Sequence, residues 1–246
     1  MKHLSKLARK ASQIYPFASL KSQKKNTISA LVKSGVNVSQ VVDVGVRECT
    51  ADLLSLFPEV QHLLFEPASE FHLLIEKNYK NVSYVLNACA LSSESGSAYL
   101  IKTALENNDV ISHTRISDIA NGLPGENVVG VDEIEIRTLD SFIGAVLMNC
   151  LIKIDVDGME LPIIEGASNT IRLASIVVVE VTSLTLAKRV AAVERLGFRL
   201  VDFVDRVKYG LALHQCDAVF VREDLINDSI VPVMSPFDSA KWLPLP

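Results

Sequence analysis

Apolar residues fall in runs along this chain, and what breaks each run predicts the elements. Val41, Val42, Val44 and Val46 are interrupted only by Asp43 and Gly45, the pattern of a strand buried on both faces of a parallel sheet. The chain then turns at Arg47, Glu48 and Cys49, and Thr50 is placed to cap a helix reaching Leu56. His62 to Pro67 reads as a second strand, followed by a helix burying Phe71, Leu74 and Ile75 and ending near Tyr79. Val82 to Leu91 reads as a third strand, with a Ser/Gly turn and a short strand from Ala98 to Ile101 behind it. The polar stretch Asn107 to Asn127 predicts a long loop that holds His113.

Ile134 and Ile136 alternate with charge, as in a half-exposed strand, and Asp140 then opens a helix through Val146. Cys150 to Asp155 is strand four, and Pro162 starts a helix whose Leu161, Ile164, Ala167 and Ile171 face inward. Ile176 to Val181 is strand five, and Ser183 caps a helix carrying Leu186, Val190 and Val193 that Gly197 stops. Phe198 to Val207 and Asp217 to Val221 are two strands with no helix between them. Repeated βα units ending in a hairpin predict an α/β fold around a mostly parallel sheet. Three regions follow: a basic helical extension at 1–38, the α/β body at 39–224, and an apolar tail with prolines at 225–246, packed on the body in extended form.

Charge and cysteine usage narrow the class. With 246 residues the chain can bury a full core unaided, and its formal net charge of -5 removes any global case for nucleic-acid binding. Cys49, Cys89, Cys150 and Cys216 are scattered, mostly in apolar runs, which predicts free thiols in a reducing, cytoplasmic setting. No apolar run approaches membrane-spanning length, and the N-terminus lacks a signal peptide's apolar core. Before Asp43 there is no acid at all, while Leu4, Leu7, Ala8, Ala11 and Ile14 recur between lysines at helical spacing. That segment reads as a helix on the domain edge, with peripheral contact to an anionic membrane as the alternative.

Asp43, Glu66, Asp155 and Glu180 each interrupt or close a strand, and a parallel sheet gathers such ends at one ligand-binding edge. A carboxylate such as Glu66 offers two acceptors to a vicinal diol of a ribose. The block Lys153, Asp155, Asp157, Gly158, Glu160 is expected to bring Asp155 and Glu160 together in the crevice.

These blocks carry a resemblance. IKIDVDGMELPIIEGA (Ile152 to Ala167), with DVGVRECT (Asp43 to Thr50), FEP (Phe65 to Pro67) and TLDSF (Thr138 to Phe142), resembles the FkbM family of S-adenosylmethionine-dependent methyltransferases. The resemblance implies the Rossmann-like class I fold: a seven-stranded, mostly parallel sheet with an antiparallel terminal strand and helices on both faces. It implies S-adenosylmethionine as cofactor, with Asp43 and Gly45 in the loop for its methionine part. Glu66 would hold the ribose hydroxyls, Ala88 and Cys89 would lie by the adenine, and Asp155 to Glu160 would stand between cofactor and acceptor. Val46 and Arg47 stand where the family has a small residue and then asparagine, and Cys49 where it has a second glycine. Arg47 is a candidate donor to the methionine carboxylate, and Thr50 opens the helix beside it.

The acceptor implied is a hydroxyl on a sugar, glycan or small natural product. Asp155, Glu160 and His113 are the candidates for removing its proton. His62, His72 and His214 show no ligand spacing for zinc; a hard cation on Asp155, Asp157 and Glu180 is the metal alternative. Two other readings are a nicotinamide-dependent oxidoreductase, which lacks its glycine fingerprint here, and a cofactor-binding partner without activity, suggested by the turn from Val46 to Cys49.

Overall fold

The apolar runs that open and close the body become the centre of one sheet. The structure, a computed structural model, describes residues 22–104, 111–120, 127–227, 229 and 230. The sheet's strands are β1 (Gln40–Val44), β2 (Gln61–Phe65), β3 (Tyr84–Asn87), β8 (Cys150–Ile154), β9 (Ala174–Thr182), β10 (Phe198–Tyr209) and β11 (Ala212–Arg222). They lie in the order β10-β11-β9-β8-β1-β2-β3, parallel except for β11, which runs antiparallel to both neighbours. The chain reverses direction in the sheet's middle, between β1 and β8, which leaves a crevice at the strands' carboxyl ends.

Helices cover both faces, and this is why the central strands are apolar on both sides, with Gln40, Asp43 and Lys153 as their buried polar exceptions. Val42, Val44, Ile152, Ile154, Val177 and Val179 pack on one side with α4 (Glu160–Glu165), α5 (Ser168–Ile171) and α6 (Leu186–Glu194). Val41, Leu151, Ile176, Val178, Val219 and Val221 pack on the other with α1 (Gln23–Lys33) and α2 (Ala51–Leu56). The helix α1 belongs to the basic N-terminal region, yet its Ile28 and Leu31 are buried in this core. Ser22 caps it, and Lys25 N donates to the Ser22 Oγ at 3.1 Å. The expected helix through Leu4 and Ile14 and most of the expected tail lie outside the described residues; Ile230, at their border, is buried.

A second sheet of four strands was not expected. It has the order β4-β7-β5-β6 and comprises β4 (Ala90–Leu91), β5 (Gly96–Thr103), β6 (His113–Ser117) and β7 (Val128–Arg137). The single strand expected from Val82 to Leu91 is therefore two strands in two sheets: β3 pairs with β2, and β4 with β7. The expected long loop contains β6, which pairs antiparallel with β5 and starts at His113. Ala98, Leu100, Ile134 and Ile136 of this sheet pack on Leu64, Phe71, Ile75 and Tyr79, the last two from α3 (His72–Tyr79). Lys102 of β5, buried beneath the strands, pairs with both Glu70 and Asp132 and ties the sheet to the body.

Two other local expectations are corrected. The segment after Thr138 is a 3-10 helix, Leu139–Ala145, capped by the Thr138 hydroxyl, which accepts from Ser141 N at 3.2 Å, and not by Asp140. Its carboxylate instead accepts from Asn169 N and Thr170 N, at 3.1 and 2.7 Å, and so caps α5. The helix expected to be capped by Ser183 has Thr185 at its N-cap, and the Thr185 hydroxyl accepts from Thr182 N at 3.0 Å.

Candidate active site

At the carboxyl ends of the central strands lies a cleft of about 560 Å³. Its floor is the β1–α2 turn and the β8–α4 turn, held together by a backbone approach that only glycine permits. Gly45 has φ +82, and a Cβ there would stand 2.0 Å from the Asp155 carbonyl oxygen. Asp155 N in turn donates to the Val44 carbonyl at 3.1 Å. The expected glycine is therefore needed for the contact between two turns.

Lys153 lies beneath both turns, and sequence reasoning gave it no role. Asp43, Lys153, Asp155, Glu180 and Asp217 share one face, because register pairs Asp43 with Lys153 and Glu180 with Asp217 and side chains alternate along strands. The buried ammonium of Lys153 meets Asp43 Oδ1 at 3.2 Å, Asp155 Oδ2 at 3.3 Å and the Gly45 carbonyl at 3.3 Å. Burial pulls its pKa down, but Asp43 and Asp155 outweigh that and hold it above the ordinary lysine range. Asp43 is wholly buried and lies under the cleft floor, outside the lining.

Glu66 lines the cleft at the end of β2, 6% exposed. Its Oε2 accepts from Arg47 N at 2.8 Å and its Oε1 from Ala68 N at 2.9 Å. Burial pushes its pKa up, and those two amides work against the rise. Each oxygen keeps a further lone pair, so the carboxylate can accept from a diol. Arg47 has φ +54, and its guanidinium donates to the Ile111 carbonyl at 3.2 Å and lies over the Phe71 ring. It lines the cleft with Cys49 and Thr50; Thr50 takes the N-cap position of α2 without a side-chain cap bond. Burial raises the Cys49 pKa. Buried Cys89 lines the cleft beside Ala90 and Leu91, its thiol pushed up to about 11 by burial, whereas Ala88 is exposed and outside it.

The acidic wall departs from expectation at Glu160. Asp155 and Asp157 line the cleft, and Glu160 does not. Glu160 is wholly buried at the start of α4 and paired with Arg189 of α6, itself buried. Burial pushes the Glu160 pKa up to about 7 despite its own amide and Arg189. A carboxylate on a helix needs a cation once it leaves solvent, and Arg189 draws it away from the crevice. His113 is at the cleft rim, exposed, with Nδ1 3.1 Å from the Ser112 hydroxyl. Its neighbour Thr114 donates its N–H to Asp157 Oδ2 at 3.2 Å, joining the second sheet to the acidic wall.

Glu180, expected at this edge, is joined by three groups that the sequence reading gave no place in the site: Asp217, Lys24 and Gln215. Glu180 lines the cleft from β9, where Gln215 Nε2 donates to its Oε1 at 2.8 Å. Burial first, then Asp155, Glu160, Asp217 and Asp157, push its pKa up to about 8. Lys24 reaches in from α1 and meets Asp217 at 2.6 Å. An acid in an apolar strand was the one available signal for Asp217; nothing in the sequence joined Lys24 or Gln215 to the site. Asp155, Asp157 and Glu180 share the cleft, but among the described residues no group of three or more His, Cys, Asp or Glu is arranged to hold a metal ion. No helix among those residues is long and apolar enough to cross a membrane.

Comparison with known proteins gives the family. A model described as "Methyltransferase FkbM domain" matches residues 33–200. No curated protein matches the sequence significantly. Similar solved structures include precorrin-6y C5,15-methyltransferase from Geobacter metallireducens, at 14% identity and TM-score 0.43, covering 80% of this chain and 85% of that one. Another is ribosomal protein L11 methylase from Lactobacillus delbrueckii, at 12% and 0.44, covering 84% and 81%. A third is an S-adenosylmethionine-dependent methyltransferase from Clostridium acetobutylicum, at 9% and 0.43, covering 89% and 98%. The chain belongs to the FkbM methyltransferase family, and its strand order is that of class I, S-adenosylmethionine-dependent methyltransferases.

Proposed function

We propose that this FkbM-family chain methylates a hydroxyl oxygen on a sugar, glycan or small-molecule acceptor. The observation that carries the reading is one cleft holding both a diol acceptor, Glu66, and a wall of acidic residues, Asp155, Asp157 and Glu180, the last kept mostly protonated by burial and its neighbours. The residues fit S-adenosylmethionine. Glu66 has lone pairs for the ribose, Cys89 to Leu91 give an apolar flank, and the acidic wall favours the sulfonium's positive charge. When bound, the cofactor supplies a methyl group on a sulfonium, open to in-line attack. The chain's own residues then align the acceptor and take its proton.

Asp155 is the proton acceptor in this reading, because it faces the cleft while Lys153 fixes its other side at Oδ2. His113 stands at the rim, where it closes on the acceptor. Glu160 acts through Arg189 to hold the start of α4, and so positions the Asp155 turn. A wall of acceptors suits the many donor hydroxyls of a neutral polyol and repels an anionic backbone, which supports a sugar over a nucleic acid.

Calorimetry with S-adenosylhomocysteine tests the cofactor half. Glu66→Gln is expected to weaken binding by about 1–3 kcal/mol, the cost of losing a charged acceptor. Equal affinity for both proteins ends the assignment. Transfer to a panel of neutral glycans tests the acceptor half, and transfer to nucleic acid alone would overturn it.

A further inference from the structure

Beyond the cleft, the β10–β11 hairpin projects past the sheet edge. β11 pairs Gln215 with Thr182 at the end of β9, and Gln215 lines the cleft, so the residues preceding it extend outward from the cleft side. At the tip Tyr209 is 85% exposed and Leu211 99% exposed, on either side of Gly210 at φ +62. Leu184, 91% exposed, stands close by, because Ser183 N donates to the His214 carbonyl at 3.2 Å. Three large apolar side chains in water at one corner serve no fold that the core requires.

Charge at the same corner is positive. Arg206 and Lys208 are exposed on β10. The acids of that strand are turned to α1: Asp205 accepts from Gln23 N at 2.9 Å, and Asp202 from the Thr27 hydroxyl at 3.0 Å. The bond from Gln23 also fixes where the chain enters α1, four residues along β10 from Tyr209.

We infer that this corner docks the protein on an anionic lipid bilayer: Tyr209, Leu211 and Leu184 enter the interface, Arg206 and Lys208 meet the headgroups, and the cleft opens beside the membrane rather than onto it. A few apolar side chains beside clustered lysines and arginines are what interfacial binding uses. The inference concerns where the cleft is presented and holds whichever acceptor it methylates.

The test is co-sedimentation of the full chain with phosphatidylcholine vesicles, with and without about one-third phosphatidylserine, at low and moderate salt. The wild type should pellet with the anionic vesicles only, and less as salt screens the charges. The pair Tyr209→Ser and Leu211→Ser should lower the partition coefficient about tenfold or more, since each removes several buried methylene equivalents. Leu184→Gln, on a separate turn, should lower it too. Calorimetry with S-adenosylhomocysteine on the same variants should match the wild type, which separates docking from the cofactor site. Binding that is absent, equal on neutral vesicles, or unchanged in the tip variants overturns the inference. So does tip-dependent dimerisation seen by light scattering without vesicles.

Discussion

Glu180→Gln should change how the protein's stability depends on pH more than it changes the fold. The carboxyl is inside the cleft wall with Asp155, Glu160, Asp217 and Asp157 around it, and burial and those charges push its pKa up to about 8. An unfolded chain ionises the same group near 4.5. Between those values the native state binds the proton and the unfolded state does not. Stability is therefore fully present below about 4.5 and is lost as pH rises through about 8. The full interval corresponds to roughly 5 kcal/mol, and partial exposure with solvent screening brings the expected loss to about 1–3 kcal/mol. Glutamine keeps the oxygen that accepts from Gln215 and carries no charge, so the variant should match the wild type at pH 5 and exceed it at pH 9. Urea denaturation at several pH values, with the difference between the two proteins plotted against pH, measures this directly. Curves that stay parallel from pH 5 to 9 would show that Glu180 does not hold its proton, and the electrostatic account of the wall would fail.

Gly45→Ala should cost several kcal/mol, about 2–4, since its Cβ meets the Asp155 carbonyl and φ is positive; thermal unfolding reads it. Arg189→Met strands a buried carboxylate and should cost about 3–5 kcal/mol at pH 8. The cost should shrink below pH 6, where Glu160, already pushed to about 7, takes up a proton; equal cost at both pH values would refute the pairing. Asp155→Asn should leave S-adenosylhomocysteine affinity near normal and slow single-turnover methylation on the order of 10²–10⁴-fold. An unchanged rate would move the base to His113 or Glu180.

The parts of the fold most legible in sequence were the strands buried on both faces, because continuous valine and isoleucine admit few other readings. β1, β8 and β9 were placed to within two residues at each end for that reason, and the helix-free link between β10 and β11 gave the hairpin. The second sheet was illegible because it is half in solvent. His113 to Ser117 is polar at most positions, and its strand character comes from pairing with β5. The run from Val82 to Leu91 looked continuous because both its halves are apolar; the change of sheet between Asn87 and Ala90 is a tertiary event with no local signal. In the site, Glu66 and Asp155 were visible as acids ending apolar runs. Glu160 was expected beside Asp155 because it opens the next helix, and only Arg189, on another helix, takes it out of the cleft. Lys24 and Gln215 come from outside the family-matched segment and reach the cleft only through packing.

The meeting of Gly45 with the Asp155 carbonyl has a mechanical meaning. The turn nearest the cofactor and the turn bearing the proposed base are braced backbone to backbone, with Lys153 bolted across both from below. Their separation is a fixed dimension of the molecule, as in a jaw with its lower plate cast in one piece. Whatever opens to admit an acceptor must therefore be an upper part, and β6 is joined to this wall through the hydrogen bond from Thr114 to Asp157, whereas the start of α1 is pinned by Ser22 to Asp52, by Gln23 to Asp205 and by Lys24 to Asp217.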